Sequence, residues 1–233
     1  LGCGEKYLDG YINVDFPPSE HTLMTVKADL YQDVTTLEYP ENSVAEIRSH
    51  HLFEHFPRIE AIELLLKWRK WLKPDGVLLI ETPDFSSSAL LYLLARTPKR
   101  KMELGKHIFG SQEAPWAYHY DFWDKVKFQF VLKKLGFKDI KIKEYKNSLA
   151  KHFNRVPFLN LFGSLIPDSI YKSHRGNKLP DIDVVAKKDA TASLDEPVLI
   201  SEILYEYLGI HDDYRMVHTW VAKKHRPNGE EKQ

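Results

Sequence analysis

The chain opens on two glycines that are followed shortly afterwards by an acidic residue at the end of an apolar stretch. Residues 1–4 read Leu-Gly-Cys-Gly and residues 11–15 read Tyr-Ile-Asn-Val-Asp. Glycines at a strand end let a ligand approach the backbone closely, and an acid at the tip of the next strand is the usual acceptor for ribose hydroxyls. The dinucleotide motif, with three glycines and an acid about twenty residues on, is absent. The pattern therefore indicates a site for a ribose-containing ligand with little or no crossover helix inside it.

A second group of chemically active residues lies in the middle of the chain. Residues 50–55 contain three histidines and a glutamate, and further histidines follow at positions 107 and 119. Histidine titrates near neutral pH and is the natural base for deprotonating a hydroxyl. We therefore predict His119, His107 and His51 as catalytic candidates.

The His-Glu spacing in residues 50–55 also raises the question of a metal. A metal site needs three or four ligands at fixed geometry, and the sequence shows no pattern that supplies the remaining ones. We expect no metal, and we expect Glu54 and His55 to cap or orient their loop.

The opening segment resembles motif I of the class I S-adenosylmethionine-dependent methyltransferases in a shortened form, LGCG followed by YLDGYINVD. Five later segments match blocks of that family in the same order: Lys27-Ala28-Asp29-Leu30, PENSVAEI at 40–47, SHHLFEHF at 49–56, WLKPDGVLLI at 71–80 and Leu135-Gly136-Phe137. The resemblance covers roughly residues 1–188. The nearest relatives are small methyltransferases of the type 11 group, some of which are associated with polysaccharide biosynthesis.

Two departures from the family pattern bear on the fold. The chain begins on the motif I strand itself, so we expect most of the first strand to be missing from this sequence. Asp75 stands where the family has the first glycine of its PGG turn, a tolerable change because aspartate accepts turn conformations.

The resemblance implies S-adenosyl-L-methionine as cofactor. It assigns cofactor contacts to Gly2, Cys3, Gly4, Asp15, Asp29, Leu30, His50 and Leu52. Among these, Asp15 is expected to accept from the ribose hydroxyls and Asp29 from the adenine amino group. Cys3 has no base placed beside it by the sequence, so we expect it to pack and not to act as a nucleophile.

The implied activity is methyl transfer to a small-molecule or saccharide acceptor, at oxygen and with a histidine as general base. A non-catalytic binding module with the same fold is the first alternative, and retention of both glycines and Asp15 argues against it. A nucleic-acid methyltransferase is the second. The Asn-Pro motif of enzymes that methylate base amino groups is absent after the fourth family strand, where this chain has Ser49-His50-His51-Leu52.

Composition is consistent with one folded domain of this kind. The chain has 233 residues, 43% of them hydrophobic, and 33 basic residues balance 33 acidic ones, so a large polyanionic substrate such as nucleic acid is disfavoured. The single cysteine excludes an internal disulfide framework and fits a reducing, cytoplasmic compartment. No stretch approaches the ~20 apolar residues of a membrane helix, and no signal peptide is visible.

Periodicity predicts strands at 11–15, 44–48, 77–80, 140–145 and 182–186, helices at 59–71 and 122–135, and a turn at 73–76. Alternating strands and helices indicate an α/β, doubly wound, mostly parallel Rossmann-like sheet. The resemblance adds an antiparallel last strand and helical lid insertions at 85–120 and 147–180.

A small, polar linker follows residue 188, so we place a methyltransferase domain at 1–188 and a helix-strand extension with a tail at 189–233. That extension is predicted to hold a helix at 198–208 and a strand at 214–222, and it offers a surface for a homodimer. The basic run at 96–101 is either a solvated face or a phosphate contact, and the aromatic segment at 153–171 is either a lid, which we prefer, or a weak membrane-surface contact.

Overall fold

The computed structural model describes residues 1–21, 24–144 and 179–208. In chain order, the strands in these ranges are β1 (Val14–Asp15), β2 (Leu30–Tyr31), β3 (Val44–His50), β4 (Leu72–Pro83), β5 (Phe137–Glu144) and β6 (Asp181–Lys188). The helices are α1 (Arg58–Trp71), α2 (Phe85–Leu94), α3 (Pro98–Phe109), α4 (Lys125–Lys134) and α5 (Glu196–Leu208). Mixed α/β architecture is thus confirmed.

Two sheets carry the site. In the smaller one, β1 and β2 pair in parallel. The larger one has the order β3-β4-β6-β5, in which β3 and β4 are parallel and β6 runs antiparallel to both of its neighbours. Within each sheet, the parallel strands β1 and β2, and β3 and β4, therefore end at the same edge, the edge at which ligands bind in sheets of this type.

The opening residues lie between the two sheets. The backbone nitrogen of Leu1 donates to the carbonyl of Arg48 on β3 at 2.7 Å, and the amide of Gly2 donates to the carbonyl of Val14 on β1 at 2.9 Å. Residues 1–3 thus connect the edge of one sheet to the edge of the other, and they fix the glycine turn relative to both strand ends.

The predicted element boundaries need three corrections. The strand predicted at 11–15 is only two residues long, because the Asn13 side chain turns back to bond the backbone of Leu8. Helix α4 begins at Lys125 and not at residue 122, because the Asp124 carboxylate caps the Lys127 amide at 2.9 Å. The turn predicted at 73–76 is a bulge inside β4.

That bulge has a defined geometry. The pairing with β3 jumps from Val44↔Leu72 to Glu46↔Val77, so β4 carries extra residues that its neighbour lacks. Asp75 lies at the bulge with φ of +58°, a left-handed conformation that aspartate tolerates better than most residues. The replacement of the family glycine by Asp75 is therefore compatible with the backbone.

One hydrophobic core supports the larger sheet. Its largest fully buried side chains include Trp68 of α1, Trp123, Phe128 of α4 and Phe53 from the loop after β3. Full burial of such side chains contributes ~1.5–3 kcal/mol each. Ile203 and Leu204 of α5 are completely buried in the same cluster, so the helix that we assigned to a C-terminal extension shares the core of the domain.

Several predictions fall outside the described residues. These are the strand at 214–222 with its proposed dimer contact, the tail, and all but the last two residues of the insertion at 147–180. The insertion at 85–120 is described and contains α2 and α3. Among the described helices, none has both the length and the apolar character needed to cross a membrane.

Candidate functional site

The glycine turn and the acid after it are in direct contact. Gly2 and Gly4 have φ of +62° and +53°, the left-handed region in which glycine alone is unstrained. The amide of Gly4 donates to Asp15 Oδ2 at 2.7 Å. The turn is thereby held against the tip of β1, as the spacing of the two motifs predicts.

Asp15 is almost fully buried and already has several donors. Its Oδ1 accepts from the Phe16 amide at 2.7 Å and lies 3.1 Å from His21 Nε2. The His21 ring in turn lies 5.1 Å from the Trp116 ring. A carboxylate offers about four lone-pair positions, and the Gly4 and Phe16 amides, His21 and the Cys3 thiol all approach this one, so a ribose hydroxyl would have to replace one of these partners.

Asp29 and Leu30 lie beside β1 but have structural partners. Asp29 Oδ2 accepts from the Asn13 amide at 2.7 Å, and Oδ1 accepts from the Tyr7 hydroxyl at 2.7 Å. These bonds, with the backbone bond to Asn13 first, lower the pKa of the Asp29 carboxyl. Leu30 pairs with Val14 in the small sheet. An adenine amino group at Asp29 would have to share Oδ1 with Tyr7.

The remaining predicted cofactor residues lie around the glycine turn. A Cβ added at Gly2 would lie 2.8 Å from Leu52 Cβ, so Leu52 packs directly on the glycine. His50 Nε2 lies 3.0 Å from Lys6 Nζ and 3.1 Å from Glu81 Oε1. The Cys3 thiol contacts the Lys27 carbonyl at 3.5 Å, and burial followed by the nearby Asp15 charge raises its pKa, which disfavours a thiolate nucleophile.

A cavity of about 910 Å³ opens next to this turn. It is lined by residues 44–50 of β3, 79–81 of β4 and 183–185 of β6, and it reaches Gly2 and Cys3. Gly4, Asp15 and Asp29 do not line it. The cavity is the groove between the two sheets, and it overlaps the predicted cofactor residues only in part.

The three histidines that we predicted as catalytic converge on two carboxylates. His51 Nδ1 lies 3.4 Å from Glu54 Oε1, and His119 Nε2 lies 4.0 Å from the same oxygen. On the other side, Asp181 Oδ1 lies 3.6 Å from His51 Nε2 and 3.5 Å from His107 Nε2. Residues from the turn after β3, from α3 and β6, and from the loop at 119 thus form one cluster, termed here the histidine cluster.

Glu54 lies at the centre of this cluster. It is 2% exposed, and its Oε2 accepts from the Thr82 hydroxyl at 2.8 Å, while Oε1 makes no hydrogen bond within the described residues. Burial alone would raise the pKa of the Glu54 carboxyl, but interactions with three surrounding histidines lower it to about 2. The cluster therefore contains a buried, ionised carboxylate at neutral pH.

The three predicted catalytic histidines differ in the direction of their pKa shifts and in their exposure to solvent. Burial lowers the pKa of the His119 imidazole to about 4, and burial likewise lowers the pKa of His107, whose Nε2 donates to the Pro180 carbonyl at 2.9 Å. For His51, burial would lower the pKa, but Glu54 and two further carboxylates raise it. His51 is also the most exposed of the three, with 36% of its side chain accessible against 8% and 11%.

Two carboxylate residues of the histidine cluster were not predicted as functional. We expected Glu54 to have a structural role, and we did not identify Asp181 at all. Asp181 pairs with Pro83 across the antiparallel strands, so the first residue of β6 reaches the edge at which β4 ends. That pairing depends on the strand order and has no local sequence signal.

Asp84, which directly follows β4, is buried. It is 1% exposed, its Oδ2 accepts from the Ser87 hydroxyl, and burial raises its pKa. Its carboxylate therefore contacts the first turn of α2.

Comparisons with known proteins give a similarity of fold. No protein-family model and no curated protein matches the chain. Among solved structures, it is similar to a SAM-dependent methyltransferase from Archaeoglobus fulgidus, with 19% identity and a TM-score of 0.41 over 70% of this chain and 68% of that one. It is also similar to the plantazolicin methyltransferase BpumL, with 15% identity and a TM-score of 0.45 over 81% of this chain and 74% of that one.

A protein from Bordetella parapertussis is similar at 15% identity and a TM-score of 0.41 over 69% of this chain. The chain spans only 44% of that protein. With identities below 20% and TM-scores below 0.5, these similarities assign neither a substrate nor a site to the chain.

Proposed function

We propose that this chain binds S-adenosyl-L-methionine at the glycine turn and transfers its methyl group to an acceptor held at the histidine cluster. One observation carries the proposal: the Gly4 amide lies 2.7 Å from Asp15 Oδ2, so the two motifs that resemble the methyltransferase family form a single structural unit. The order of the other matching segments along the chain supports it.

The residues at the turn fit the adenosyl group in three respects. Gly2 has no room for a side chain, because Leu52 packs against it, and its bare backbone is what a close ligand requires. The Asp15 carboxylate lies next to the Gly4 amide, and a ribose hydroxyl would take the position on Oδ1 that His21 occupies. Leu30 and Leu52 offer apolar contacts at either side of the turn, and both pack on the core.

The histidine cluster supplies the chemistry at the acceptor. When bound, S-adenosyl-L-methionine would supply an electrophilic methyl group that is open to in-line displacement. His51 is the best-placed base of the three candidates, because it directly precedes Leu52 and is the most accessible. Its Nδ1 faces Glu54, so the carboxylate would orient the ring and stabilise it once Nε2 has taken the acceptor proton.

The acceptor that we propose is a small molecule or a saccharide, methylated at oxygen. A hydroxyl is the group that needs a base of this kind, and the balanced charge of the chain does not favour a polyanion. Helix α3 contributes His107, and the loop at 119 contributes His119, so the insertion at 85–120 borders the cluster. Part of it would act as the acceptor-side lid. A role in polysaccharide biosynthesis is consistent with this chemistry and rests on the family resemblance alone.

Two measurements test the function. Calorimetric titration with S-adenosyl-L-methionine should give one site per chain, and incubation of methyl-labelled cofactor with a panel of mono- and oligosaccharides should transfer label and add one methylene to the acceptor mass. Cofactor binding without transfer to any acceptor would favour the non-catalytic module. Transfer to nucleic acid would replace the acceptor proposed here.

A further inference from the structure

We propose that Glu54, His55 and His119 form a binding site for a divalent transition-metal ion of the zinc type. One donor atom from each residue lies within 4.8 Å of the other two, and Glu54 Oε1 is 4.0 Å from His119 Nε2. Two imidazoles and a carboxylate are a common ligand set for Zn²⁺ in sites that keep a position open for water or substrate. Ligand atoms about 2.0–2.1 Å from a tetrahedral ion are ~3.3 Å apart, so the donor atoms, which lie within 4.8 Å of one another, would have to approach by up to ~1.5 Å to complete the site.

The Glu54 carboxylate is positioned to act as a metal ligand. Glu54 Oε2 is anchored by the Thr82 hydroxyl at 2.8 Å, and the buried Oε1 has no hydrogen bond among the described residues. Its nearest polar neighbours are His51 Nδ1 at 3.4 Å and His119 Nε2 at 4.0 Å, and a bound cation would add a full positive charge beside this buried oxygen. Asp181 and Glu81 lie on the other side of His51, so the surroundings add further negative charge.

His55 and His119 are held in place by contacts of the kind that metal-binding histidines usually make. His55 Nδ1 bonds to the Tyr118 carbonyl at 3.0 Å, which leaves the Nε2 lone pair of a neutral ring for an ion. Metal-binding histidines commonly donate their other nitrogen to a backbone carbonyl in this way. The rings of His55 and His119 are 4.7 Å apart and nearly perpendicular, and the Tyr120 amide donates to the Glu54 carbonyl at 3.0 Å, so the loop at 119 is tied to the loop at 54.

A neighbouring group of possible ligands is less suitable. His50, His51 and Glu81 also lie within ligand distance of one another. However, Lys6 Nζ lies 3.0 Å from His50 Nε2, so that nitrogen already faces a cation, and a metal ion there would be repelled. This difference makes His50 a matched control for His55.

The chemical use of the ion rests on the proposed function. An ion at this site would hold the acceptor oxygen and polarise its hydroxyl. Metal binding itself does not depend on methyl transfer and can be measured without it.

The test uses the full chain stripped of metal by a chelator. Zn²⁺ is titrated in competition with a chromophoric chelator, and Co²⁺ is added separately to record its visible absorption, which reports coordination by nitrogen and oxygen. We expect one ion per chain. His55→Ala and His119→Ala should each weaken binding by at least ~100-fold, because loss of a ligand costs at least as much as loss of a supporting group. His50→Ala should retain the affinity of the native chain.

Circular dichroism and the thermal midpoint establish that each variant is folded, and His55→Ala is the decisive variant because its ring is partly exposed. Absence of stoichiometric Zn²⁺ binding in the folded native chain would overturn the proposal. So would equal affinity in His55→Ala and the native chain, or loss of binding in His50→Ala alone. Titration of the metal-free chain with S-adenosyl-L-methionine separates the two proposals, since Zn²⁺ binding that persists without cofactor binding would refute only the methyltransferase function.

Discussion

His51 Nδ1 lies 3.4 Å from Glu54 Oε1, and the backbone of His51 is left-handed, with φ of +46°. This conformation ends β3 sharply, and the following turn at Phe53–His55 brings the carboxylate back under the ring. A left-handed non-glycine residue stores backbone strain, which is common at functional sites. The strained backbone and the contact with Glu54 together aim His51 Nε2 into the cluster.

The first prediction concerns His51 as the base. His51→Asn should lower methyl-transfer turnover by ~10²–10⁴-fold, the range for loss of general acid-base catalysis, and leave cofactor affinity within about twofold. Asparagine tolerates positive φ, so the backbone is preserved, whereas His51→Ala loses the same function and adds strain. Rates from labelled-methyl transfer and affinities from calorimetry make the comparison. Turnover that survives in His51→Asn would assign the base to His119 or His107.

The second prediction concerns the competition for Asp15. Because His21 Nε2 occupies a position on Asp15 Oδ1 at 3.1 Å, His21→Ala should tighten binding of S-adenosyl-L-methionine several-fold by freeing an acceptor for ribose. Trp116→Phe retains a ring beside His21 and serves as the control, with affinity unchanged. Weaker binding in His21→Ala would mean that His21 contacts the cofactor itself.

The third prediction concerns the close approach of the end of α3 to the backbone of the loop before residue 119. A Cβ at Gly110 would lie 2.1 Å from the Ala117 carbonyl, and its φ is +84°. Gly110→Ala should therefore lower the free energy of unfolding by ~2–4 kcal/mol, as expected for a clash at a special backbone position. Gly105→Ala is the matched control, since it lies inside α3 with open space around it and should stabilise the helix by ~0.5–1 kcal/mol. Denaturant unfolding of both variants gives the comparison, and similar effects would refute the close approach.

The fourth prediction follows from Lys127. Its Nζ lies 2.6 Å from Asp121 Oδ2, and burial lowers its pKa from 10.5 to about 8. Between these values the unfolded chain holds the proton that the folded chain has lost, so the free energy of unfolding rises with pH, by at most ~1.4 kcal/mol per pH unit.

Lys127→Met removes this dependence, and Arg58 still contacts Asp121 at 3.3 Å. From pH 7.5 to 9.5 the native chain should gain ~1–2 kcal/mol of stability relative to the variant, as measured by denaturant unfolding at each pH. A constant difference between the two chains would show that the pKa of Lys127 is not lowered.

Local signals in the sequence were enough for helix α1 and strand β3. Helix α1 was predicted almost to the residue, because its apolar spacing is helical and Pro57 precedes it. Strand β3 was also predicted, although it extends two residues further, to His50. The errors lie where side chains bond to the backbone, as with Asn13 and Asp124, since periodicity does not register such bonds.

The candidate site likewise has a part that local sequence indicates and a part that it does not. The contact between Gly4 and Asp15 joins residues eleven apart in the chain, and both residues belong to the short-range motif that the sequence shows. Glu54 is joined by residues from positions 51, 82 and 119, and only the strand order and the insertion at 85–120 bring these together. No spacing rule within residues 50–55 could have shown that His119 would supply another donor.

The most direct test of the account is calorimetric titration of the native chain and of Asp15→Ala with S-adenosyl-L-methionine, with Asp29→Asn as the comparison. Removal of Asp15 takes away the ribose acceptor and the partner of the Gly4 amide, so we predict saturable one-site binding in the native chain and none in the folded Asp15→Ala variant. Asp29→Asn should bind more weakly but still measurably. Failure of the native chain to bind the cofactor, or equal affinity in Asp15→Ala, would contradict the account.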